Sequence, residues 1–162
     1  LEKSILKMLD RLHPKKIVIV SSAPQIRFPD CYGIDMSKMG DFVAFRALIQ
    51  LLKEQGKEYL LGEIYEQCQL AEQEEEPANY VKKLYEQFGY EEISDKIADI
   101  VRPADMKAEL QVVYQTVENL HKAIPHHSGD WYFTGNYPTP GGMRVVNRSY
   151  MNYMDGKLVR AY

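Results

Sequence analysis

Lys15-Lys16-Ile17-Val18-Ile19-Val20-Ser21-Ser22-Ala23-Pro24 is the stretch on which the fold turns. Its four consecutive β-branched residues are far too few for a membrane span and too few for a buried helix. Followed at once by small hydroxyl residues and a proline, such a run reads as a strand covered on both faces of a parallel sheet. Just upstream, Leu1, Ile5, Met8, Leu9 and Leu12 recur at helical spacing, with Glu2, Lys3, Lys7 and Asp10 on the other face. His13-Pro14 ends that pattern, because the residue before a proline is driven out of the α region. Helix, tight turn, buried strand is the returning half of a βαβ unit. In open α/β sheets ligands gather beyond the carboxyl ends of strands. The loop Ser21-Ser22-Ala23-Pro24-Gln25-Ile26-Arg27-Phe28-Pro29, with two hydroxyls and a guanidinium, is therefore where a polar ligand is expected.

Downstream, Asp41 reads as the cap of a helix carrying Phe42, Phe45, Leu48, Ile49 and Leu52, closed by Gly56. Leu60, Leu61, Ile64, Tyr65 and Cys68 form a second stripe. The like-charge run Glu72-Gln73-Glu74-Glu75-Glu76 reads as a solvated linker. Pro77 suits the first turn of a helix bearing Tyr80, Val81, Leu84, Tyr85 and Phe88 before Gly89. Ile93, Ile97, Ile100 and Val101 predict a short helix broken at Arg102-Pro103. Met106, Leu110, Val113, Val117, Leu120 and Ile124 step alternately by four and three, which predicts one long helix with a narrow seam for another helix or a partner subunit. After Pro125, Trp131-Tyr132-Phe133 and Tyr137-Pro138-Thr139-Pro140-Gly141-Gly142 predict an aromatic, turn-rich tail, with Asp155-Gly156 as a hairpin turn. The segments divide as 1–56, 57–127 and 128–162.

Composition narrows the function classes. The chain has 162 residues, a net charge of −3 and 45% hydrophobic residues, an ordinary globular make-up. Mild acidity gives no electrostatic case for nucleic acid, and no segment has the apolar length of a membrane span. The two cysteines, Cys31 and Cys68, exclude a disulfide scaffold and suit a reducing compartment, so a cytoplasmic location is expected. His126-His127 are chain neighbours, and neither C-x-x-C nor H-E-x-x-H occurs, so no metal site is expected. Cys31 as a nucleophile would need a base beside it, and the nearest histidine in sequence is His13. Neither phosphate-loop nor dinucleotide glycine fingerprints occur. The opening Leu1-Glu2-Lys3 reads as the start of a piece of a longer protein.

The segment from Ser21 through Tyr32-Gly33-Ile34-Asp35-Met36 resembles the stretch that follows the phosphoribosyl-diphosphate loop in amidophosphoribosyltransferases, the glutamine-dependent enzymes that open purine synthesis. Phe133-Thr134-Gly135-Asn136-Tyr137-Pro138-Thr139 resembles a second block near the C-terminus of some members. Residues 70–127 are carried by position between the two blocks. The resemblance implies an α/β fold: the C-terminal part of a type I phosphoribosyltransferase parallel sheet, then a helical region and a β-hairpin tail. It implies that the whole enzyme, a glycosyltransferase, frees ammonia from glutamine and displaces diphosphate from phosphoribosyl diphosphate, giving 5-phosphoribosylamine. The glutaminase domain and the principal catalytic residues would lie upstream of Leu1, leaving this fragment inactive alone.

Substrate-proximal candidates are Ser21, Ser22, Arg27, Tyr32 and Asp35. Arg27 either forks onto phosphate or a feedback nucleotide, or pairs with Asp30 or Asp35 and stiffens the loop; Asp35 reads as a loop-fixing acceptor. Magnesium is expected with phosphoribosyl diphosphate in the whole enzyme and no cofactor in the fragment. Some relatives hold a structural iron–sulfur cluster through cysteines in the two blocks. Here Asp30 follows Pro29, and Gly129 and Tyr132 stand where a cysteine pair would precede Phe-Thr-Gly, so a cluster-free member is expected. Implied partners are phosphoribosyl diphosphate, glutamine, purine nucleotides as feedback ligands, and further copies in a homo-oligomer. The alternatives are a phosphoribosyltransferase-like nucleotide-binding module without amidotransfer, or an oligomerisation module built on the 106–124 seam and the tail.

Overall fold

The strand expected at Ile17-Val18-Ile19-Val20 is present: a computed structural model, describing residues 5–30, 36–126 and 129–161, has β1 at Lys16–Ser21. Its partner was not foreseen. β2 (Glu109–Tyr114) lies parallel to β1, with Ile17 opposite Leu110 and Val20 opposite Val113. These two strands form the only sheet among the described residues, and the remaining elements are helical. The chain is thus a mixed α/β protein with a small parallel sheet.

The sheet is covered on one face rather than two. Ile17 and Val112 are buried and Ile19 and Tyr114 partly so, whereas Val18 and Val20 on the opposite face are 48% and 73% exposed. On the covered face α5 (Tyr90–Val101) lies against both β2 and α2 (Val43–Glu54). The first helix is also shorter than expected. α1 covers only Lys7–Asp10 after a π turn at residues 5 and 6. Its buried side chain is Leu6, packed with Ile17, Met106 and Ala108, while Ile5, Met8 and Leu12 of the anticipated stripe are exposed. The Asp10 carboxylate ties α1 to the approach of β2 by accepting from the Lys107 and Ala108 amides at 3.1 and 2.9 Å.

The helices after β1 follow the sequence more closely. In α2, Phe45, Leu48, Ile49 and Leu52 are buried as a single stripe. Asp41 does not cap it; that residue ends a 3₁₀ turn at Met39–Asp41, and Phe42 occupies the cap position with no side-chain bond. α3 (Tyr59–Ala71) buries Ile64, Cys68 and Ala71. The acidic run is exposed loop after a turn, with Glu72 paired to Arg148 at 2.7 Å. The helix expected from Pro77 shrinks to α4 (Lys82–Tyr85), although Val81, Leu84, Tyr85 and Phe88 are all buried.

Two whole elements also differ from expectation. The long helix over 106–124 is instead β2, a two-residue connection and α6 (Val117–Ala123). Four-and-three spacing coincided with a β-branched pair, Val112-Val113, that alternates in and out of the sheet, and Thr116 starts a new helix by accepting from the Asn119 amide at 3.1 Å. The hairpin tail is likewise absent: the region folds as α7 (Trp131–Thr134) and α8 (Pro140–Met154). Thr139 caps α8 and Pro140 opens it. Asp155-Gly156 is then a helix stop, with Gly156 at φ 68°, its amide donating to Tyr153 and the Lys157 amide to Asn152. Positive φ serves a hairpin turn and a helix C-cap equally well, so the dipeptide alone does not distinguish them. The main core joins Phe28, Phe45, Leu52, Leu84, Ile93 and Tyr150, and so draws on most of the chain.

Candidate functional site

The proline-stiffened loop after β1 passes over α5 and meets the stretch before α8. Ser21 ends the strand and folds its hydroxyl back locally, donating to the Ala23 carbonyl at 2.9 Å. Ser22 is exposed. Gln25 is 1% exposed, and its amide orientation follows from its partners. Nε2 donates to the Tyr90 carbonyl and to Ser94 Oγ at 2.9 and 2.8 Å, which turns Oε1 toward Arg27. Arg27 donates Nε and Nη2 to that oxygen at 3.0 and 2.8 Å.

Two tyrosines complete the clamp. The Arg27 guanidinium lies 4.9 Å from the Tyr85 ring centre and 5.0 Å from that of Tyr90, within cation–π range. Both phenols fix the same loop. Tyr85 donates to the Arg27 carbonyl at 3.1 Å; Tyr90 accepts from the Gln25 amide at 3.0 Å and donates to the Gln115 carbonyl at 2.7 Å. Burial holds the Arg27 guanidinium below its ordinary value, and burial also raises the Tyr85 and Tyr90 phenols, which stay neutral donors. Among the described residues no carboxylate lies within ion-pairing distance of Arg27. Of the two carboxylates offered as alternative partners, Asp30 instead accepts from the Tyr132 phenol at 3.2 Å, and Asp35 lies outside the described residues.

Clefts open on both sides of this clamp. One, of about 520 Å³, is lined by Gln25, Arg27, Tyr90, Thr116, Val117 and Phe133 with Gly89 and Glu91. It lies beyond the carboxyl ends of both parallel strands, the crevice in which open α/β sheets bind ligands. The other, of about 310 Å³, is lined by Arg27, Phe28, Lys82, Tyr85, Glu86, Phe88, Phe133 and Thr134. Arg27 and Phe133 border both.

Of the residues anticipated from sequence, Ser21, Ser22 and Arg27 lie at or beyond the strand end, and only Arg27 lines a cleft. Tyr32 and Asp35, with Cys31, lie outside the described residues. Gln25, Tyr85, Tyr90 and Lys82 were not anticipated. Gln25 stands two places from Arg27 in an extended stretch and so shares its side, a readable signal. The tyrosines come from segments sixty residues away, and nothing local announces them.

The two blocks quoted above are brought together. The Arg27 and Phe28 amides both donate to the Tyr132 carbonyl, at 2.8 and 3.1 Å, and the Tyr137 phenol donates to the Pro29 carbonyl at 2.7 Å. The Tyr132 phenol also donates to the Asp30 carboxylate at 3.2 Å. The remaining thiol, Cys68, is buried far along α3, and burial pushes it up to about 12, which leaves it protonated and unreactive. No helix is long and apolar enough to cross a membrane among the described residues. No family model, curated protein or solved structure matches the chain.

Proposed function

We propose that this chain is the C-terminal portion of an amidophosphoribosyltransferase, and that its loop after β1 forms the rim of the phosphoribosyl-diphosphate pocket. One observation carries the reading: the two resembling blocks, about a hundred residues apart, are hydrogen-bonded to each other beside a cleft at the strand ends. Blocks matched by accident have no reason to adjoin. The single-sided parallel sheet also supports it, since parallel sheets are ordinarily covered on both faces by the rest of an α/β domain.

In the proposed whole enzyme, ammonia attacks C1 of the sugar as the C1–O bond to diphosphate breaks, so charge moves onto the leaving group. Catalysis of such a step rests on positioning and on neutralising that charge. This chain's contribution is a held guanidinium, Arg27, and a water-excluding aromatic wall, Tyr90 and Phe133. Magnesium belongs to the substrate diphosphate. Among the described residues no three carboxylate, imidazole or thiol groups gather as metal ligands.

The test has two parts. The 162-residue chain, given ammonia, phosphoribosyl diphosphate and magnesium, is expected to form no phosphoribosylamine. The reading frame ahead of Leu1 is expected to encode an acidic doublet, a Gly-Thr-Thr turn and an N-terminal nucleophilic cysteine; a frame without them refutes the assignment. A second reading, an assembly module, is favoured by the exposed Val18, Val20 and Val113 face rather than by the 106–124 seam, which does not exist as a helix. A strict monomer by light scattering at high concentration refutes that one.

A further inference from the structure

We propose that α6 is a hinged flap at the larger cleft, latched to α7 by the pair His121–Asp130. The inference concerns access to that cleft and holds whatever the cleft binds, so it stands or falls apart from the enzyme reading. α6 is held far less than the long helices. None of its residues is buried, whereas α2, α3, α5 and α8 each bury side chains in the core. The close helix packings of the molecule, α2 on α5 and α3 on α8, do not include it. A segment with so few buried contacts opens locally, well below the cost of unfolding the whole chain.

The root of α6, by contrast, is fixed. The Gln115 amide donates to the Ser21 carbonyl at 3.1 Å, and the Gln115 carbonyl accepts from the Tyr90 phenol at 2.7 Å. Motion of α6 therefore pivots between Gln115 and the cap residue Thr116. Thr116 and Val117 line the cleft from this helix, and Phe133 lines it from α7. The two helices are tied by His121 Nε2 and Asp130 Oδ2 at 2.9 Å. A carboxylate only accepts, so Nε2–H is the donor in either charge state of the ring. Asp130 is a firm catch: its Oδ1 accepts from Thr134 Oγ1 at 3.2 Å, and its carbonyl accepts from the Phe133 and Thr134 amides. Within α6, Glu118 and Lys122 pair with each other at 2.6 Å. The His121 side chain is 47% exposed, and a pair so exposed adds little to the stability of the whole molecule. It is enough to bias a flap, whose open and closed states lie close in free energy.

The test uses the 162-residue chain with Cys31→Ser and a reporter thiol, Val117→Cys; Cys68 is buried and stays silent. Reaction of the reporter with an aromatic disulfide reagent measures opening at the cleft. Amide hydrogen exchange in the chain without the reporter measures it again in α6, with β2 and α5 as internal standards. His121→Ala should speed both the thiol reaction and α6 exchange roughly two- to fivefold, the loss of one exposed pair, and leave β2 and α5 unchanged. The sign discriminates, because alanine is the better helix former and would slow exchange in a helix that had no latch. His121→Gln keeps an N–H donor and should restore most of the protection. The proposal is overturned if His121→Ala leaves α6 no faster, if β2 and α5 quicken to the same degree, or if His121→Gln behaves as His121→Ala does.

Discussion

Gly135→Ala tests whether the contact between the two blocks is as close as described. Gly135 has φ 70° and follows α7, and a Cβ built there would lie 2.5 Å from Asn79 Nδ2 and 2.9 Å from two atoms of the Phe28 ring. Neither neighbour can swing aside: Phe28 and Asn79 are 2% and 8% exposed, and Asn79 Nδ2 is itself donating to the Gly135 carbonyl at 3.1 Å. The left-handed conformation costs an L residue about 1–2 kcal/mol, and forcing a methyl into a filled core about 1–3 kcal/mol more. The expected loss is about 2–5 kcal/mol, or roughly 4–20 °C in Tm for a chain of this size. Gly156→Ala is the control, for Gly156 has φ 68° but nothing within 4 Å of the added carbon. It should lose only the conformational part, about 1–2 kcal/mol. Urea unfolding followed by circular dichroism measures both. If Gly135→Ala costs no more than Gly156→Ala, within about 0.5 kcal/mol, Phe28 and Asn79 do not press on this backbone and the junction of the blocks is looser than argued.

Two further outcomes follow from single contacts. Thr139→Ala removes the oxygen that accepts from the Gly142 amide at 3.2 Å and should cost about 1 kcal/mol in urea, with Thr139→Ser retaining most of it. In a Cys31→Ser background, burial that pushes the Cys68 thiol from 9.0 up to about 12 should make it inert to an aromatic disulfide reagent until the chain unfolds. The unfolded thiol ionises first, so stability is intact below pH 9.0 and falls as pH climbs toward 12; Cys68→Ala should remove that share of the alkaline slope, and an unchanged slope refutes the burial argument.

The parts of the fold written in local pattern were legible. The stripe of α2 repeats at helical period with no competing alternation, and β1 is a β-branched run bounded by lysines and serines, so period and composition agree at both. β2 failed because Met106, Leu110 and Val113 fit a seven-residue repeat by coincidence, and what makes Glu109–Tyr114 a strand is pairing with a segment ninety residues away. Tertiary pairing overrode the local reading, as strand formation commonly does. α8 failed for a different reason: its Gly141-Gly142 start and scattered apolar positions look like a turn, and its helical state rests on the Thr139-Pro140 cap and on Val146 and Tyr150 filling the main core. At the site, Arg27 was legible as a lone cation in a loop. Its two tyrosine partners were not, because a cation–π clamp is assembled from α4 and α5 and leaves no spacing in the sequence.

The sheet is where the remaining argument lies. Its side of the molecule is held by a small cluster of Leu6, Ile17, Met106 and Ala108, separate from the main core that runs from Phe28 to Tyr150. Two parallel strands are too few to be stable by themselves, and among the described residues neither has a partner on its other edge. The loop carrying Arg27 nevertheless leaves from the end of this sheet, so the precision of the clamp cannot come from the strands. It comes from the other side. Gln25 is fixed by Tyr90 and Ser94, and Arg27 by Tyr85 and Tyr90, all on or beside helices of the main core. The bare face of Val18, Val20 and Val113 is apolar surface of the kind that further strands and helices of a larger α/β domain would bury. In the proposed whole enzyme those strands would extend the sheet without disturbing the clamp, because the clamp is anchored to the layer that is already complete.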